Sequence, residues 1–220
     1  MESIKFDKTF LGNFEESSKR EYLETNALGA YCSSTLAGVN TRKYHGTFVV
    51  RQPQIDHHSY VLLNALHETV DINNNIYELG VHQYPLTAHP EGYQYLSSFE
   101  LNKIPTFIYE VEGQRIKKEI QFLPNKNQLL IRYTLLDGTS AELGLKPFSS
   151  FRQIHKLCSE NENEVAVNDV ENGVGFCMDK SFDSVFIQTS VKNKFLAYGD
   201  WHYKAEYLEE LSRGYDFSED

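Results

Sequence analysis

Residues Asn40–Gly46 read NTRKYHG. A guanidinium, an ammonium, a phenol and an imidazole stand in consecutive positions, Arg42, Lys43, Tyr44 and His45, just ahead of the apolar run Phe48–Val50. Arg42 can grip a carboxylate with two parallel hydrogen bonds. Lys43 is a point charge on a long stem, and Tyr44 and His45 can each donate or accept. Such a set suits hydroxyl-rich ligands or the carboxylates and carbonyls of a partner surface. It suits local ties equally well, with Arg42 and Lys43 on the chain's own carboxylates or carbonyls and His45 in a polar niche. Spacing leaves both readings open. A sparser group follows in KPFSSFRQIHKL, where Arg152 and His155 come after a strand ending near Pro147; an exposed turn with ordinary charges is the plainer reading there.

Other chemistries find no foothold. The histidines at 57, 58, 67, 82 and 89 are scattered, and HETVD at His67–Asp71 lacks the second histidine of a zinc-protease helix. Three cysteines, Cys32, Cys158 and Cys177, lie far apart without a CxxC pair, so reduced thiols in a reducing compartment are expected. There is no G-x-S-x-G elbow, no GxGxxG and no P-loop. Carboxylates are numerous enough that some pair will lie at a glycosidase spacing by chance, which decides nothing. No metal, cofactor or catalytic residue is expected in this chain.

The elements that must carry these groups read as strands. Phe107, Tyr109 and Val111 alternate with Ile108 and Glu110; Glu112–Gly113 turns; Ile116, Ile120 and Phe122 then oppose Arg115, Lys117, Glu119 and Gln121. Leu129–Leu135 alternates again, and Asp137–Gly138 predicts a hairpin with AELGLKPF as its return strand. Further strands are expected at Tyr44–Arg51, Tyr60–Leu66, Ile76–His82, Gly92–Leu101, Val165–Val170, Gly173–Met178 and Val185–Thr189. On the first of these, Arg42 and His45 would flank an exposed strand start. The stretch ETNALGAYCSSTLAGVNTR predicts a long ordered loop. Helix is confined to HYKAEYLEELSRG, with Tyr203, Tyr207, Leu208 and Leu211 as its apolar stripe. The expected fold is all-β, a large antiparallel β-sandwich with few short helices. Residues 1–200 form the sandwich, and residues 201–220 form a helix and linker towards a further domain.

Composition bounds the partners. The 220 residues carry a net charge of −10 and are 13% aromatic, with 14 Tyr, 14 Phe and one Trp. Aromatics favour pleated surfaces. The negative balance disfavours nucleic acid and anionic membranes, and no segment has the apolar length of a membrane helix. The N-terminus MESIKFDKTFLG lacks a signal-peptide core, so a cytoplasmic location is expected.

The stretch EYLETNALGAYCSSTLAGVNTRKYHGTFVV resembles the N-terminal domain of bacterial and archaeal-type glycogen debranching enzymes. Glu21, Leu23, Thr25, Asn26, Leu28, Gly29, Tyr31, Ser33, Thr35, Gly38, Asn40, Thr41, Arg42, Tyr44, His45 and Gly46 fit that pattern. Tyr22 stands where the family has tryptophan, and Ala27 and Ala30 replace two glycines, so neither position requires positive φ. LLNALHETV, LKPFSSFRQIHKL and RGYDFSED resemble later family segments, with Lys146 for arginine and Gln153 for aspartate. The resemblance implies a glucoamylase-like supersandwich preceding an (α/α)6 barrel that hydrolyses α-1,6-glucosidic branch points. The barrel's carboxylates lie outside these residues, so the chain alone is expected to be inactive. Asn26, Arg42, Lys43, Tyr44, His45, Arg152 and His155 become candidates for contact with the C-terminal catalytic domain or with α-glucan. A stand-alone carbohydrate-binding module and a protein-interaction domain are the alternatives.

Overall fold

The computed structural model describes residues 3–160, 166–178, 180–196 and 199–219. In chain order its strands are β1 (Ile4–Asp7), β2 (Glu21–Thr25), β3 (Tyr31–Thr35), β4 (Gly46–Arg51), β5 (Ser59–Ile72), β6 (Asn75–Glu78), β7 (His82–Tyr84), β8 (Thr87–His89) and β9 (Leu96–Leu101). They continue with β10 (Pro105–Val111), β11 (Gln114–Phe122), β12 (Leu129–Leu135), β13 (Glu142–Gln153), β14 (Ala166–Val170), β15 (Gly173–Cys177), β16 (Val185–Gln188), β17 (Ala205–Glu206) and β18 (Ser218–Glu219). Helix is limited to α1 (Lys8–Leu11), α2 (Phe14–Ser17), α3 (Leu208–Ser212) and a 3-10 turn at Gly92–Tyr95. The fold is all-β, as the alternation predicts. No described helix is long and apolar enough to cross a membrane.

A five-stranded antiparallel sheet runs β1-β9-β10-β11-β12, and a six-stranded one runs β13-β5-β4-β3-β2 with β6 added on β5. Their inner faces share one core. Phe99, Phe107, Ile116, Ile120 and Phe122 come from the first sheet, and Cys32, Val50, Leu62 and Val70 from the second. Tyr22 meets Phe107 edge-on at 5.3 Å, and Phe48 stacks on Phe122 at 5.9 Å. Each fully buried side chain of this kind stabilises by about 1.5–3 kcal/mol. The aromatics thus sit mainly at inward strand positions, as the pattern implied. Lys118 also falls on the inward face, where it pairs with Glu68 of β5 at 2.6 Å, and the Tyr133 hydroxyl of β12 donates to the same carboxylate. This buried polar knot joins the two sheets.

The structure corrects several sequence expectations. Asp137–Gly138 does not close a hairpin: β13 crosses to the other sheet and pairs with β5 from Glu142↔Asp71 to Gln153↔Tyr60. The 14-residue β5 offers an edge that accepts almost all of β13, and local turn chemistry cannot register that. The expected loop at Glu24–Arg42 contains β3, which pairs with β2 from Glu21↔Thr35 to Thr25↔Tyr31. Ile76–His82 is split between β6 and β7, and Gly92–Tyr95 is a 3-10 turn before β9. Val165, the first residue of one expected strand, lies outside the described residues. The terminal stripe fails too. Tyr207 and Glu210 are buried, whereas Tyr203, Leu208 and Leu211 are exposed. Pairing of β17 with β18 bends this segment into a closed loop, and periodicity is blind to such pairing. No disulfide links the three cysteines.

Candidate functional site

The site lies on the outer face of the six-stranded sheet. After β3 the chain turns at Gly38, whose φ of +83° is costly for any residue with a Cβ. The Thr35 hydroxyl donates to the Val39 carbonyl at 2.7 Å. The Asn40 amide donates to the Asn64 carbonyl at 2.9 Å, and Ser34 donates to the Asn40 side-chain oxygen at 2.8 Å. These ties pin the loop to β5 before the cationic run begins.

That run is a tight turn, not a strand start. The Thr41 N–H donates to His45 Nδ1 at 3.1 Å, and the His45 N–H donates to the Arg42 carbonyl at 3.1 Å. Because Nδ1 accepts, a neutral His45 carries its proton on Nε2, which faces Glu21 Oε1 at 3.5 Å. His45 is 2% exposed, which corrects the expectation of an open strand flank: the turn folds the ring inward. Gly46 follows because a Cβ there would lie 2.8 Å from methyls of both Val49 and Val61. Close packing within the chain, not a ligand, fills that gap.

Each cation of the cluster meets a group of this same chain. Arg42 Nε donates to Glu21 Oε1 at 2.6 Å, and its NH2 lies 3.6 Å from Glu209 Oε2. The Lys43 N–H donates to Glu210 Oε1 at 3.3 Å, and the Lys43 ammonium sits 5.7 Å from the centre of the Tyr215 ring. The Glu209 N–H donates to the Thr41 carbonyl at 2.9 Å. His45 first, then Arg42, hold the Glu21 carboxyl down at about 2 against the upward push of burial. At 3.5 Å the His45 contact is long for a hydrogen bond, so the 2.6 Å Arg42 bond is the firmer tie.

Arg152 anchors the same segment further along. Its Nε lies 2.7 Å from Glu219 Oε1, NH2 donates to the Tyr207 hydroxyl at 3.1 Å, and NH1 donates to the Lys156 carbonyl at 3.1 Å. Arg152, Glu219 and Tyr207 are all buried. Burial raises the Tyr207 hydroxyl further above its ordinary range than neighbouring Arg152 lowers it, so it stays a neutral partner. The Tyr44 hydroxyl and His155 Nδ1 are 3.1 Å apart at the surface, and the Tyr44 carbonyl accepts from the Tyr31 hydroxyl at 2.8 Å.

Of the seven candidates, Arg42, Lys43 and Arg152 touch the C-terminal segment, His45 closes the Arg42 turn, and Tyr44 pairs with His155. Asn26 stands apart in the β2–β3 turn. Its side-chain oxygen accepts from the Leu28 and Ala30 N–H groups, both at 3.0 Å, and its amide donates to the Lys126 carbonyl at 2.8 Å. Ala27 and Ala30 take ordinary φ there, and Gly29 alone of that turn is at +82°. The acidic partners Glu209, Glu210 and Glu219 were not singled out from sequence. Their signal was charge complementarity between a basic loop and an acidic terminal segment, which no local pattern reveals. Among the described residues no group of three or more His, Cys, Asp or Glu could hold a metal ion.

The family comparison decides the assignment. Residues 20–220 match the family model described as glycogen debranching enzyme, N terminal. The chain belongs to that family. Comparison with curated proteins and with solved structures gives no match. The match includes both halves of the site, the basic loop and the acidic segment, so this glycogen debranching enzyme N-terminal domain contains the surface on which they meet.

Proposed function

We propose that this chain is the non-catalytic N-terminal domain of a glycogen debranching enzyme, and that its outer-face cluster holds the segment leading to the catalytic domain. The observation that carries the reading is that Arg42 meets Glu209, the Lys43 backbone N–H donates to Glu210, and Arg152 pairs with Glu219. The guanidinium groups of Arg42 and Arg152 are spent on carboxylates of this chain, Glu21, Glu209 and Glu219. They are therefore poor candidates for acid–base work, which needs groups aimed at a substrate proton. The exposed Tyr44–His155 pair is the part of the cluster that faces outward, and it is the candidate edge for an α-glucan hydroxyl or for the catalytic domain.

The test compares the 220-residue chain with a polypeptide in which it precedes an amylo-α-1,6-glucosidase catalytic domain. Glucose release from a limit dextrin is expected only from the longer polypeptide, and Tyr44→Ala is expected to lower its activity without changing its melting temperature. Glucose release by the chain alone, abolished by a single Asp or Glu substitution, would overturn the reading.

A further inference from the structure

A second tie to the C-terminal segment contains no charge pair. Three imidazoles from distant parts of the chain stack in file: His67 on β5, His82 on β7, and His202 ahead of β17. Ring centroids are 4.1 Å apart at both steps, with tilts of 37° and 41°. Phe148 of β13 packs against all three, at 4.8, 4.6 and 5.1 Å. The Tyr84 hydroxyl and His202 Nε2 are 2.5 Å apart. Nε2 of His67 and Nε2 of His82 are buried without a hydrogen-bond partner. Gly80 presses bare backbone on His67, since a Cβ there would fall 2.2 Å from Nδ1.

The surroundings reject an added proton. The charged groups that bear on the rings are cations: Lys118 of β11 on His67, and Lys146 of β13 on all three. Glu78 of β6 bears on Tyr84. Burial above all, with these cations adding to it, moves all three imidazoles below their ordinary range, His67 to about 3. The three members are not equally fixed. His67 and His82 stand on sheet strands, whereas His202 lies on chain outside regular structure. Two residues after the half-buried His202, Lys204 takes a left-handed φ of 61°.

We propose that the His67–His82–His202 stack is an acid-sensitive latch, closing residues 199–204 on β7 and β13 when neutral and releasing them when His202 takes up a proton. The sign follows from linkage. The released segment regains an ordinary imidazole, near pH 6.5. The docked form binds fewer protons, so its advantage is complete above that pH and shrinks as pH falls below it. Each pH unit below the release transition favours opening about tenfold per proton bound. Residues 205–219 have their own ties, Arg42 to Glu209, the Lys43 N–H to Glu210 and Arg152 to Glu219, none of which involves the stacked imidazoles.

Trp201 is the chain's single tryptophan and adjoins His202, so it reports the latch directly. Its fluorescence is followed from about pH 8 to about pH 5, the window in which imidazoles titrate, with far-UV circular dichroism in parallel. The wild-type chain is expected to show a reversible red shift below about pH 6.5 with unchanged dichroism. His202→Phe keeps an aromatic ring without a proton site and is expected to abolish the shift. Amide exchange of residues 199–204 in the wild type, which needs no variant, is expected to quicken at least tenfold between pH 7 and pH 5 after correction for intrinsic rates. An unshifted tryptophan until the dichroism collapses, an identical transition in His202→Phe, or unchanged exchange protection would each overturn the proposal.

Discussion

The two faces of the six-stranded sheet are buried by different means. Its inner face meets the five-stranded sheet through Cys32, Val50, Leu62 and Val70 against Phe99, Phe107 and Ile120. Its outer face carries Arg152, which is 5% exposed beneath Glu219 and Tyr207. The first contact is governed mainly by apolar area, with the buried Lys118–Glu68 pair as a charged tie within it. The second is governed by which groups are charged: carboxylates and guanidinium groups that must be, and imidazoles that must not be. An inner-face contact forms once apolar surface is matched. An outer-face contact forms only when each buried polar group finds its partner, because an unpaired one is costly.

Truncation on the inner face should have the largest effect. Phe107→Ala is expected to lose about 3–5 kcal/mol, the usual cost of emptying a packed aromatic site, in a single cooperative denaturant transition. The loss should be the same at low and high salt; a strongly salt-dependent loss would blur the distinction between the faces. Next comes His45→Ala on the outer face. It leaves the buried Thr41 N–H without its acceptor, for a loss of about 1–3 kcal/mol. His45→Asn, which can still accept at short range, should recover part of that loss in thermal melts.

The smallest effect belongs to Arg42, whose side chain and that of Glu21 are about one-third exposed. Arg42→Ala should cost about 0.2–1 kcal/mol, in the range of exposed pairs, and less at high salt. Its signature is in pH. The Glu21 carboxyl is lowered from 4.5 to about 2. Its contribution is therefore complete above the ordinary carboxylate value and is lost as pH falls through the window between the two. Glu21→Gln should flatten the acid limb of the stability profile there; an unchanged limb would mean the pair contributes nothing.

The difference between the faces also explains what the sequence made legible. Phe107–Val111 and Ile116–Phe122 were readable because a half-buried strand imposes period two on its own residues. The family resemblance marks Arg42, Lys43, Tyr44 and His45 from sequence alone, and their chemistry leaves local carboxylate ties open. What stayed hidden depended on partners far along the chain. Lys43 meets Glu210 across 167 positions, and β13 chooses β5 over β12. The terminal stripe misled for the same reason: Tyr207 is held by Arg152 and by the Phe217 carbonyl, not placed by helical periodicity. Asn26 belonged to the family pattern, yet its bonds brace a turn rather than join the cluster.

The central claim is that the buried Arg152–Glu219 pair fastens the C-terminal segment to the outer face, and a double-mutant cycle on these two residues tests it most directly. Arg152→Met, Glu219→Gln and the combination are unfolded with urea at neutral pH. The account predicts a favourable coupling of about 0.5–3 kcal/mol, the range for residues sharing one network, with each single substitution more damaging than half of the pair together. A coupling indistinguishable from zero, with additive single losses, would contradict it and leave the segment merely lying on the sheet.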